Sequence, residues 1–462
     1  MIINKINLIK NKNNTFGNAT TQNNPNISNN TKQPITHVTK PVETNDSFQK
    51  TNNFDYVYNF DIDYSKSQVL LNNLQVIFDT NLINQDTYAQ IELKPTSDFE
   101  AKSGVKEILP FLISEKNSNL YNSYEKNLDL PKVYLDYNEY TECLLGTLDK
   151  YYRQNEKGIE KMADFILAPN FTQEELQEAK TNIKKHLQEN SSSAICKLDA
   201  SVPNSKETIS SSDVDSITLE DVNAYYNQFL KNSKGKIAIT MPENTYSITK
   251  DKISSILSSK IPTLKTQGEK TVGKDISPIL ENKTYKGKDP YNSIEYEKIY
   301  VTKDNNTLKE DILNTIVDRV YYYSDTKSKI ETRIYTQDYG NGNKITKIYA
   351  SPSHEYEVFN KFFTKKPTAE ELKAFAESRI SYLINNPIDN KTLDVIKKEL
   401  KELKIKRHID QYFRTKEILT EYSDADGSLS KYCEELDKIT SLDVQNTAKQ
   451  IFSQNFIEAI DE

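Results

Sequence analysis

Two segments of this chain are near-copies, and that duplication limits what the chain can fold into more than any other feature. Residues 215–230 read DSITLEDVNAYYNQFL and residues 437–452 read DKITSLDVQNTAKQIF. Asp215, Ile217, Thr218, Asp221 and Val222 meet Asp437, Ile439, Thr440, Asp443 and Val444 without a gap, at an offset of 222 residues (Ile217 to Ile439). Both copies have the chemistry of a helix start. Thr218 and Thr440 are N-cap residues, with Asp221 and Asp443 three positions on as the acidic arm of a capping box. An apolar stripe follows in each, then a short β-like run, KIAIT at 236–240 and FIEAI at 456–460. A second pair repeats in the same order: PNFTQEELQEAKTNI (169–183) parallels PIDNKTLDVIKKEL (387–400). There Leu176, Lys180 and Ile183 answer Leu393, Lys397 and Leu400 at an offset of 217. Two pairs in one order at nearly one interval indicate an internal repeat.

Each copy runs strands first, then helices, then one helix and a closing strand. This order predicts an α+β fold of two duplicated domains of about 200 residues. Each domain is a mostly antiparallel sheet with helices packed on one face. The segment 263–290, rich in Lys, Thr, Gly and Pro, reads as a linker between domains at 56–262 and 291–462. Residues 1–55 are Asn/Thr/Lys-rich with few apolar side chains. They bury too little surface to offset chain entropy and read as a disordered arm. DYGNGNK at 338–344, between two β-like runs, is a hairpin turn, and its glycines serve turn geometry rather than phosphate binding.

Composition removes several classes of function. The net charge is −7 and no basic stripe stands out, which argues against nucleic acid as a partner. Cys143, Cys196 and Cys433 are far apart and form neither a disulfide framework nor a CxxC metal site. No run approaches a membrane span, and the first residues lack the apolar core of a secretory signal. The expectation is a soluble, cytoplasmic protein that meets no membrane.

Duplicated α+β halves of this size, with ITLEDVNAYYNQFL leading into GKIAIT, resemble the insulinase/pitrilysin family of zinc metallopeptidases. The resemblance spans about residues 66–462. VLLNNLQVIFDTN resembles the opening strands of the catalytic domain, and FTQEELQEAKTNIKKHLQEN the long helix that supplies a metal ligand. DILNTIVDRVYYYSDTKSKIETRIY resembles the first helical stretch of the second domain. In active relatives a Gly opens a helix bearing His-x-x-Glu-His. Its two His share one face and bind zinc, and its Glu takes a proton from the metal-bound water.

In GVKEILPFLISEKN (104–117) the resemblance puts the first His at Glu107, the general base at Pro110 and the second His at Phe111. The third ligand falls near His186, with Glu189 beside it. Ile108, Leu109, Phe111, Leu112 and Ile113 then read as a core-packed helix segment or buried strand, with Phe111 filling the space a metal would take. Of the four His (His37, His186, His354 and His408) no two are close in sequence. His186 and Glu189 are the candidates for a relocated metal site, together with Glu107. The non-catalytic partners in such families use an Arg and a Tyr of the second domain to steady substrate, which the resemblance places at Arg333 and Tyr339.

The resemblance therefore implies half of a peptidase clamshell: a zinc-less, non-catalytic subunit that binds unfolded peptides and carries no cofactor. Its partner would be a zinc-bearing homologous subunit or a second copy. The alternatives are a structural scaffold of the same fold without peptide binding, and a peptidase whose metal site has moved.

Overall fold

The computed structural model describes residues 68–80, 87–126, 131–138, 142–151, 155–202, 209–269, 271, 276–289, 293–303, 307–316, 330–338, 343–353, 365–420 and 429–462. The arm expected at 1–55 lies outside them. The first half opens with β1 (Gln68–Leu71), β2 (Leu74–Asp79) and β3 (Thr87–Pro95), followed by α1 (Val105–Lys126). β4 (Lys132–Asn138) and β5 (Cys143–Tyr151) precede the helices α2 (Asn155–Leu167), α3 (Gln173–Asn190), α4 (Ala194–Ser201), α5 (Ser211–Ser216) and α6 (Leu219–Asn232). β6 (Ser233–Thr240) and α7 (Glu243–Lys260) complete it. The second half contains β7 (Lys283–Gly287), β8 (Glu295–Lys303), α8 (Thr307–Thr315), β9 (Ile330–Asp338) and β10 (Asn343–Pro352). It ends with α9 (Ala369–Asn385), α10 (Asn390–Ile409), α11 (Gln411–Thr420), α12 (Leu429–Lys438), α13 (Ser441–Phe452) and β11 (Phe456–Asp461).

The strands form two sheets of matching topology. The first has the order β1-β2-β6-β3-β5-β4 and the second β7-β11-β8-β10-β9. In each, the closing strand joins one parallel partner, β2–β6 and β7–β11, and the remaining pairs are antiparallel. β2, β6, β8 and β11 are buried along most of their length, the near-continuous burial expected when a sheet is covered on both faces. The helix face of the first sheet holds one core, including Phe78, Ile91, Leu112, Leu176 and Phe229, and that of the second another, including Tyr296, Ile348, Leu372, Leu393 and Phe452.

The duplication is repeated in individual contacts. Thr218 and Thr440 each accept from the N–H of the Asp three residues on, whose carboxylate returns to the Thr backbone, closing both capping boxes. Lys180 Nζ donates to the Asp215 carbonyl at 3.0 Å, and its counterpart Lys397 donates to the Asp437 carbonyl at 2.9 Å. Lys184 pairs with the Asp215 carboxylate as Lys401 does with Asp437. These lysines tie α3 to the end of α5, and α10 to the end of α12, in each half just before the capped helix.

The halves also exchange a helix. Ala194, Ile195, Leu198 and Val202, on and just after α4 of the first half, pack on Ile299, Ile345, Ile457 and Ala459 of the second sheet. Ile418 and Leu419 of α11, from the second half, pack on Ile77 and Ala238 of the first sheet. Structure also enters the stretch expected as a linker at 263–290. Leu264 and Lys265 donate backbone hydrogen bonds to Asn72 and Ser233 of the first half, and β7 joins the second sheet. Its polar sequence, KTYKG, belongs to an edge strand held by parallel pairing with β11, a role that local composition does not reveal.

Candidate functional site

Gly104 sits at φ +85°, a conformation costly for residues with a side chain, and turns the backbone into α1. Ile108 N–H reaches the Gly104 carbonyl at 3.0 Å, so the helix begins where the sequence pattern places it. α1 is a 22-residue helix, which settles the choice between helix segment and strand for 108–113. Ile108, Leu109, Leu112 and Ile113 are buried and fasten it to the sheet. Pro110 lies inside this helix rather than opening one, and so removes one ladder hydrogen bond near its start. The buried residues on either side offset that loss, each contributing about 1.5–3 kcal/mol.

α1 and α3 run side by side. Asn182 Nδ2 donates to Glu115 Oε1 at 2.7 Å, Asn119 Nδ2 to Glu175 Oε1 at 3.1 Å, and Lys116 lies 3.4 Å from Glu175. This register brings His186 to Phe111, their ring centroids 5.9 Å apart at 57°. Phe111 is only half-buried and sits beside the His186 ring, where the sequence reading had it filling an interior space. The contact joins the second-His position to the third-ligand position, although the sequence numbers are 75 apart. Around Asn182, the Glu115 carboxyl is pushed above its ordinary range by burial and then by the neighbouring Glu178 charge.

Glu107 has a different setting. Burial, then the neighbouring phenol and the charges of Glu142 and Glu107, push the Tyr137 hydroxyl well above its ordinary range. Tyr225 is raised by burial and by the same two carboxylates. The two phenol oxygens are 3.4 Å apart. Glu142 stands at the turn into β5 at φ +49°, and Lys106 Nζ meets its carboxylate at 3.2 Å. The sequence reading named none of Lys106, Tyr137, Glu142 or Tyr225, since nothing in their spacing marks them as neighbours.

Among the described residues, the side chains at the motif positions do not make up a zinc donor set. Phe111 has no ligand atom, Pro110 has no acid–base group, and among the described residues no three His, Cys, Asp or Glu side chains are placed to hold a metal. The side chain of Glu189 lies outside the described residues, as do His37, His354, the His408 side chain and Tyr339. Arg333 is exposed on β9 and pairs with Glu331 of its own strand at 3.4 Å.

No protein-family model and no curated protein matches the sequence. Solved structures do. A protease from Helicobacter pylori is 13% identical with a TM-score of 0.66, covering 86% of this chain and 99% of its own. A peptidase M16 inactive domain from Pseudomonas fluorescens is 12% identical with a TM-score of 0.62, covering 86% and 97%. The fold is that of the insulinase/pitrilysin (M16) peptidases. The periplasmic protease PqqL from Escherichia coli also has this insulinase-like fold, at 11% identity and a TM-score of 0.62. It matches 90% of this chain, which spans 49% of PqqL. α1 and α3 are the two helices on which the sequence resemblance puts the motif positions, and Phe111 and His186 meet between them.

Proposed function

We propose that this chain is a non-catalytic, peptide-binding subunit with an insulinase-like fold. The observation that carries this reading is the Phe111–His186 contact. It joins two positions that the sequence resemblance assigns to metal ligands, and one of the two side chains is a hydrocarbon. With Pro110 at the position the resemblance gives the general base, that position has no group to activate a water molecule. The likeness to half of PqqL supports a chain that encloses peptide with a second half, either a zinc-bearing homologue or another copy of itself.

The test uses the full chain purified without added metal, on which zinc content, solution mass, peptidase activity and binding of labelled unfolded peptides are measured together. The expected result is under about a tenth of an equivalent of zinc, no cleavage, and saturable peptide binding. About one equivalent of zinc with cleavage would overturn the reading. Absence of peptide binding would overturn its ligand assignment and favour a scaffold.

A further inference from the structure

Among the described strands β4 is the last of the first sheet, paired with β5 on one side. An edge strand has backbone N–H and C=O groups that no neighbouring strand takes up. At Leu135 the edge is engaged by a side chain. Leu135 N–H donates to Asn117 Oδ1 at 3.0 Å, and Asn117 Nδ2 donates to the Leu135 carbonyl at 2.6 Å. A residue whose two backbone groups face away from β5 is a non-bonded position of that ladder, and an added strand would take both groups in the same way. The primary amide of Asn117 presents the donor and acceptor of a peptide unit, so it fills one residue's place in that missing strand. It is brought there because α1 continues past the motif positions and runs along β4.

We propose that Asn117 closes the β4 edge and competes with an extended peptide for Leu135. This rests on the peptide-binding reading and specifies where and how a peptide is held off. The occupant is an extended polypeptide because the group displaced is an amide bonded as a strand residue would be. The edge is also continuous with the candidate site. Two residues along β4 from Leu135 is Tyr137, which senses the charge of Glu107 on α1. A chain added at this edge would pass along the helix that carries Glu107 and Phe111.

The test compares the full chain with Asn117→Ala and Asn117→Asp. The first substitution removes both hydrogen bonds at a half-buried helix position where Ala is a good helix former. The second keeps the acceptor for Leu135 N–H and loses the donor. Amide exchange at Leu135 and anisotropy titration with labelled extended peptides are read on each. Asn117→Ala is expected to speed Leu135 exchange and tighten peptide binding, each about tenfold, with Asn117→Asp retaining most of the exchange protection. Unchanged Leu135 exchange overturns the proposal. Equal peptide affinity of wild type and Asn117→Ala overturns the gate alone. No binding by either protein overturns the peptide-binding reading together with the gate.

Discussion

Glu107 and Phe111 are four residues apart on one face of α1, and His186 already touches Phe111 from α3. His at both α1 positions would set three imidazoles on the same two helices. Glu107→His/Phe111→His is therefore expected to hold about one equivalent of zinc where the parent holds little, read by elemental analysis and by zinc-dependent stabilisation. Pro110 would remain, so zinc is expected without peptidase activity. In the second half, Glu458 shows how a buried acid stays charged. Burial pushes its pKa up, but hydrogen bonds from Lys373 Nζ at 2.6 Å, Tyr296 at 2.9 Å and Thr284 at 3.0 Å outweigh it and leave the net value lowered. A depressed carboxylate contributes stability that is complete above its ordinary value of 4.5 and is lost as pH falls through the lower folded value. Glu458→Gln should thus flatten the acid limb of a stability profile taken from neutral pH to about pH 3. An unaltered limb would show that Glu458 is not among the acid-sensitive groups. Family spacing singled out Phe111 and His186 separately, but their encounter was not legible, because it depends on how α1 and α3 pack side by side. The Lys106–Glu142 pair was not legible either, because it depends on a turn residue in a left-handed conformation.

At the scale of elements, helix starts were the most legible part of the chain. The boxes at Thr218/Asp221 and Thr440/Asp443 are both formed, and in each the Asp is held below its ordinary range. For Asp443 the causes are hydrogen bonds from Thr440 and then the nearby Lys309. Thr440→Ala removes the side-chain acceptor for Asp443 N–H and is expected to cost about 1 kcal/mol, measured by urea unfolding. A cost near zero would mean that packing of Val444, Ile451 and Phe452 holds α13 without its cap. Strand roles were less legible. β7 is polar and short, and only its pairing with β11 makes it a strand.

At the scale of the whole molecule, polar groups secure each exchanged helix. Arg414 of α11 pairs with Asp79 of β2, two fully buried partners, with Nη2 to Oδ1 at 3.2 Å. Thr415 adds a hydroxyl contact to Thr240 at 2.8 Å. At the other crossing, Asp461 of β11 accepts from Ser193 Oγ and Ala194 N–H, both at 2.6 Å, and so caps the start of α4. Arg414→Ala leaves a buried carboxylate without its cation and is expected to cost about 3–5 kcal/mol. Because α11 is the contact between halves on that side, the loss should broaden or split the unfolding transition, read by calorimetry. A single sharp transition at the parental temperature would show that the apolar contacts of Ile418 and Leu419 suffice.

The sequence by itself determined the repeat, the α+β order of each half, the capped starts of α6 and α13, and the residues at the motif positions. Those features are local: a cap, a 3.6-residue stripe or a repeated segment is written in neighbouring residues. Only the tertiary structure decided that α4 and α11 change places, that Asp79 meets Arg414, that Asp461 caps α4 and that Asn117 closes the β4 edge. Each joins side chains or backbone groups presented by different elements. Their meeting depends on how sheets and helices register in space, a geometry that no short-range pattern along the chain encodes.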